Sequence, residues 1–92
     1  QSRPGIRHLV LVMSGVGFVD TSALRVLQVA IDTLREAGVT IHLADVKGPV
    51  LDRLRRTTIF EQLAPGQVFP TPHLAVTALT RAAEREKELI PI

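Results

Sequence analysis

The first pattern along the chain is an unbroken apolar run, Leu9-Val10-Leu11-Val12-Met13, closed by Ser14-Gly15. A short run of this kind, rich in β-branched residues, predicts a strand buried on both faces. Such strands belong to parallel sheets with helices on each side. Gly15-Val16-Gly17-Phe18-Val19 reads as a loop, and Asp20 as the N-cap of a helix. From Thr21 to Ala37 the period changes. Leu24, Leu27, Ile31 and Leu34 recur at helical spacing, with Ala23, Ala30 and Ala37 filling the same side. Arg25, Gln28, Asp32, Arg35 and Glu36 take the opposite face, and Gly38 stands where a helix-ending glycine belongs.

Alternation returns over Val39–Val46. Val39, Ile41 and Leu43 point one way and Thr40, His42 and Ala44 the other, which predicts a second strand. Lys47-Gly48 then leads into a helix with Pro49 at its first position, where a missing N–H costs nothing. Val50, Leu51 and Leu54 form its inner side, and Arg53, Arg55 and Arg56 collect at its negative end. Thr58-Ile59-Phe60-Glu61 has the spacing of a capping box for one further short helix. Gln67-Val68-Phe69 predicts a brief third strand. Thr71 caps a last helix, with Leu74, Ala75, Ala78, Leu79 and Ala82 as its buried side. The order β-α-β-α-β-α implies an α/β fold on a parallel sheet, with three strands alternating with three to four helices.

Composition then removes several function classes. Of 92 residues, three are Phe and none is Trp or Tyr, so the base-stacking platforms of nucleic-acid binders are missing. A net charge of +2, with no basic run, describes a mixed solvated surface. No nucleic-acid partner is therefore expected. There is no cysteine, hence no disulfide and no thiolate chemistry. Gln1–Arg7 lacks the apolar stretch of a signal peptide. The run Leu9–Met13 is far short of the ~20 residues of a membrane span, so no direct membrane insertion is expected.

Catalytic parts are missing as well. His8, His42 and His73 lie in three separate elements without metal-ligand spacing, and His42 reads as a hydrogen-bonded packing residue. Gly15-Val16-Gly17 starts like a dinucleotide fingerprint but has Asp20 where the third glycine should be. No Walker lysine or nucleophile elbow occurs. The expectation is a protein that is not an enzyme and uses no metal or other cofactor.

The most informative stretch is Val19-Asp20-Thr21-Ser22-Ala23-Leu24. It sets an acidic cap and two hydroxyls at a helix N-terminus, directly after a buried strand. Unpaired N–H groups and the positive dipole end suit that place to an anion or phosphoryl group. A capped helix start without further function gives the same residues. On a helical wheel of about 100° per residue, Ser22, Val26, Val29 and Thr33 form one row at the border of the polar face. Exposed valines there are either incidental or the apolar centre of a docking site, with Arg25 and Gln28 at its rim.

Ser14–Leu24 resembles the signature of STAS domains, the family shared by anti-sigma-factor antagonists and SulP-type anion transporters. In that signature a buried strand and a short loop precede Asp-Ser-Ser-Gly or Asp-Ser-Thr-Gly and a leucine. The resemblance implies a small sheet with helices stacked mainly on one side. It implies that Thr21 and Ser22 match the two hydroxyl positions, and that Ser22 matches the one phosphorylated in the antagonists. Ala23 departs from the usual glycine. Leu43-Ala44-Asp45-Val46-Lys47-Gly48-Pro49-Val50-Leu51-Asp52-Arg53-Leu54, with its Val-Lys-Gly-Pro-Val turn, and Phe69-Pro70-Thr71-Pro72-His73-Leu74-Ala75-Val76 are similar to the transporter branch.

These matches identify residues 1–92 as the C-terminal portion of a STAS domain, with a loop over 1–7, a core over 8–83 and a solvated helix end and tail over 84–92. The family's opening strands are then expected outside this stretch, and their absence should leave a sheet edge or face uncovered. The implied role is a regulatory and interaction module on the cytoplasmic side of the cell membrane. Its implied partners are the membrane domain of the same transporter, a cytoplasmic regulatory protein or kinase, and a second copy in a homodimer. The alternative is a stand-alone antagonist switched at Ser22.

Overall fold

A computed structural model describes residues 7–89, with side chains as far as Glu84. The order is β1 (His8–Val12), α1 (Thr21–Glu36), β2 (Thr40–Ala44), α2 (Gly48–Arg55), α3 (Ile59–Leu63), β3 (Val68–Phe69) and α4 (Pro72–Leu89). The expected α/β architecture is present, as a three-stranded parallel sheet in the order β1-β2-β3. His8 pairs with Thr40 and Val12 with Ala44, while Leu43 and Ala44 pair with Val68 and Phe69.

Strand alternation divides the core into two layers. Ile41 and Leu43 face α1, α2 and α3, and are buried with Met13, Leu27, Ile31, Val50, Leu54, Ile59 and Leu63. Ala44 and Phe69 face α4, and are buried with Ala75 against Val10 and Leu79. β2 is central and every residue from Ile41 to Ala44 is buried. Full burial of one Leu or Ile side chain contributes about 1.5–3 kcal/mol, so the first layer dominates the fold's stability.

β1 corrects one expectation. Among the described residues it is an edge strand, and it is not buried on both faces: Leu9, Leu11 and Val12 are 44%, 39% and 47% exposed. Continuous hydrophobicity gives the strand but does not say what covers it. The edge is uncharged and apolar, without the lysine, proline or bulge that usually blunts one. The isolated 92-residue chain is therefore expected to self-associate as its concentration rises. Light scattering that returned a constant monomer mass up to high concentration would show that this edge does not adhere.

The short helices show two further departures. Thr58 makes no capping bond through its side chain, so the capping box does not form. Thr57 does that work: its Oγ1 donates to the Leu54 carbonyl at 2.8 Å and accepts from Ile59 N–H at 3.2 Å. In α4, Thr71 caps as expected, accepting from Leu74 N–H at 3.1 Å. The buried side is rotated, however, so that Pro72, Ala75, Leu79 and Ala82 face inward while Leu74 and Ala78 are exposed. α4 runs on through Leu89; the side chains from Arg85 and the tail 90–92, like the opening loop 1–6, lie outside the described residues.

Candidate functional site

α1 begins because Asp20 is extended, with φ −95° and ψ −178°, while its carbonyl already accepts the first helical bond from Leu24. Its Oδ1 accepts from Ala23 N–H at 2.9 Å. One of the helix's unpaired N–H groups is thereby satisfied. Asp20→Ala is expected to lower stability by about 0.5–2 kcal/mol. A denaturant midpoint unchanged within error would remove Asp20 from that capping role.

Thr21, Ser22, Arg25, Val26, Val29 and Thr33 are all exposed. Val26 and Val29 are 68% and 57% exposed, although both are β-branched and neither gains helix propensity there. The structure divides these residues between two surfaces. Thr21, Arg25 and Val29 line a shallow groove of about 330 Å³, closed on its far side by Thr57, Thr58 and Ile59. Ser22, Val26 and Thr33 are not among the residues that line it. The two hydroxyls are thus in unlike settings, Thr21 at a groove and Ser22 outside it.

A second cleft, of about 320 Å³, lies beside the loop that leads into Asp20. Phe18, Val19, Pro49, Arg53 and Arg56 form most of its wall. Arg53 Nε donates to the Val19 carbonyl at 3.4 Å, a long bond that ties α2 to this loop. Phe18 is 79% exposed. Neither the Arg53 link nor Phe18 was picked out by sequence reasoning. Periodicity is silent on loop side chains, and only the proximity of two βα loops brings the pair together.

The turn after β2 has its own backbone requirement. Asp45 sits at φ +57°, a left-handed conformation that Asp tolerates better than most residues. Its N–H donates to the Phe69 carbonyl at 3.0 Å, which continues the sheet one residue past the strand. Lys47 then returns to extended backbone as the N-cap, and Pro49 falls in the first turn of α2.

No group of three or more metal-ligating side chains occurs among the described residues. His42 is buried, with both ring nitrogens hydrogen-bonded, as a packing histidine should be. No described helix is long and apolar enough to cross a membrane.

The family model for the STAS domain matches residues 1–75. The chain belongs to the STAS domain family. Its parallel sheet with three helices on one face and one on the other is consistent with that fold. STAS domains are generally non-catalytic regulatory or interaction modules, and this one carries its Asp20-Thr21-Ser22 stretch exposed at the start of α1. The match ends at Ala75, so most of α4 lies beyond it.

Proposed function

We propose that this STAS domain is the cytoplasmic regulatory module of a SulP-type anion transporter, docking through the exposed side of α1, with Ser22 and Val26 on its open surface and Val29 at the adjoining groove. The observation that supports docking is the exposure of two valines, flanked by Arg25, on a helix whose larger apolar residues Leu24, Leu27, Ile31 and Leu34 are turned inward. The transporter branch rests on the stretch Leu43–Leu54, with its Val46–Val50 turn, and on the Phe69–Val76 junction, which resemble those of SulP proteins. The partner on this reading is the membrane domain of the same polypeptide or a cytoplasmic regulator, and the module sits at the inner face of the membrane.

Phosphorylation would act at Ser22. Its hydroxyl is accessible, and a phosphate there brings about −1.5 to −2 charges beside the carboxylate of Asp20. That charge suits the helix terminus but repels an acidic partner. The same accessibility supports a second reading, a stand-alone anti-sigma-factor antagonist switched at Ser22.

Sequencing the gene upstream of Gln1 separates the two: several apolar spans indicate the transporter, and a start codon just ahead of the domain the antagonist. For the docking face, Ser22→Asp and Val29→Lys are expected to weaken one and the same interaction in pull-downs from the native membrane fraction. Their melting temperatures should stay near wild type, as should binding by Ser22→Ala. Wild-type binding by both Ser22→Asp and Val29→Lys would make this face ordinary surface.

A further inference from the structure

The α4 face of the sheet sets a pair of histidines against an apolar layer. His8 on β1 and His42 on β2 share that face with Val10, Ala44 and Phe69, as strand alternation and register require. His42 is only 2% exposed, and its ring lies 5.7 Å from that of Phe69. Its Nδ1 accepts the main-chain N–H of Gln67 at 3.0 Å. A main-chain N–H can only donate, so Nδ1 carries no proton. The proton of a neutral imidazole then sits on Nε2. His42 Nε2 stands 2.9 Å from His8 Nδ1. The bond must therefore run from His42 Nε2–H to an unprotonated His8 Nδ1. One fixed donor sets both tautomers.

Gln67 immediately precedes β3, so this chain of two bonds joins all three strands. Acid breaks it at one link or the other. A proton on His42 Nδ1 faces the Gln67 N–H, donor against donor. A proton on His8 Nδ1 faces His42 Nε2–H in the same way. If His42 changed tautomer to accept from His8, its Nδ1–H would again oppose Gln67. We propose that His8 and His42 form a proton-sensitive latch across the sheet, closed while both rings are neutral and opened by acid, loosening β1 and the approach to β3.

Burial lowers the His42 pKa below the ordinary 6.5, and charge on His8 pushes it the same way. The folded chain thus takes up this proton less readily than the unfolded chain. Linkage then gives the sign: the stabilising effect is complete above about pH 6.5 and is lost as pH falls through the lowered folded value. Among the described residues the other groups around the pair are few. β1 contributes Arg7 next to His8, and the segment at β3 offers Gln67 and Phe69, neither of which titrates. α4 turns Ala75 and Leu79 to the sheet and carries His73, Arg81 and Glu84 exposed. Arg85, Glu86, Lys87 and Glu88 follow on that helix, with side chains outside the described residues.

The test is ring-nitrogen NMR on the dilute 92-residue chain, from about pH 8 downward, with His73→Gln introduced so that two imidazoles remain. His42 is expected to be bare at Nδ1 and protonated at Nε2, with a midpoint below 6.5, and the Gln67 amide should shift at the same midpoint. In His8→Ala that midpoint should rise, with the Gln67 bond intact at high pH. Melting gives an independent measure. His42→Gln can accept from Gln67 and donate to His8 without titrating, so its melting temperature should fall less on acidification than that of wild type. The double variant Glu84→Gln, Glu86→Gln should keep the wild-type pH slope. A protonated His42 Nδ1 at high pH, a midpoint at or above 6.5, an indifferent Gln67 amide, or a slope that disappears with the glutamates would overturn the latch. The NMR readout stands even where His42→Gln does not fold.

Discussion

Gly66→Ala is expected to be among the most damaging single substitutions in this chain, with a loss of about 3 kcal/mol or more. A β-carbon at position 66 would run into the carbonyl oxygen of Ile41 and lie 2.8 Å from that of Leu63. Both are main-chain atoms, and Ile41 belongs to the central strand β2, so neither neighbour can swing aside as a side chain would. Overpacking a core usually costs about 1–3 kcal/mol, and rigid backbone on both sides sets this case at the upper end. The segment cannot simply back away. Gly66 N–H donates to the Leu63 carbonyl at 2.7 Å, and the next residue bonds His42. Urea unfolding provides the measurement: with a slope of about 1–3 kcal/mol per molar, the midpoint should fall by about 1 M or more. Gly17 is the control. A β-carbon there meets nothing within 4 Å, so Gly17→Ala should stay within about 0.5 kcal/mol of wild type. Equal midpoints for the two variants would mean that the turn at Gly66 relaxes freely.

Gly66 also marks where sequence reading stops. Pro65-Gly66 in the sequence marks only where the short helix before it ends, and the steric demand at Gly66 comes from Ile41, a residue distant in the chain. The elements that could be read were those whose signal is local. α1 follows from the spacing of Leu24, Leu27, Ile31 and Leu34, and Asp20 could be read as its cap because an acidic residue precedes a periodic run. The capping-box spacing placed the cap of α3 at Thr58, but the neighbouring hydroxyl of Thr57 reaches the Leu54 carbonyl and the Ile59 N–H and makes the bonds instead. In the alanine-rich α4 the apolar residues spread too far around the helix for their spacing to fix its inner side. Pro72, Ala75, Leu79 and Ala82 turn inward, and Leu74 and Ala78 of the expected side are exposed. β1 was misread because hydrophobicity records what a strand could bury, and not what is present to cover it.

The candidate site shows the same division. The exposed residues from Thr21 to Thr33 follow from the helical wheel, since a lone amphipathic helix fixes which side faces out. Their separation into a groove set and an open set required the position of α3 beside α1. The His8–His42 pair could not have been read at all. Each histidine sits on a predicted strand face, but only the register of β1 on β2 brings them within 2.9 Å.

The core beneath these surfaces is tested most sharply at Leu54. Leu54→Ala is expected to cost about 2–5 kcal/mol, because a fully buried side chain is lost and the space it leaves collapses only in part. Leu54 has no exposed surface, and it shares one layer with Val50, Ile59, Leu63 and Leu43. For a domain of this size each kcal/mol moves the melting temperature by about 4–8 °C, so a drop of about 10 °C or more should appear. Leu54→Met, which nearly conserves volume, should lose less than about 1.5 kcal/mol. The effect should also reach the site. Arg53 precedes Leu54 and bonds the Val19 carbonyl, and the Leu54 carbonyl accepts from Thr57, the residue that starts α3 and helps to close the groove beside Val29. Amide exchange in Leu54→Ala should therefore speed up in the loop before Asp20 and around Ile59, ahead of global unfolding. Protection there equal to wild type, with only the melting temperature lowered, would show that α2 stabilises the fold without positioning the docking face.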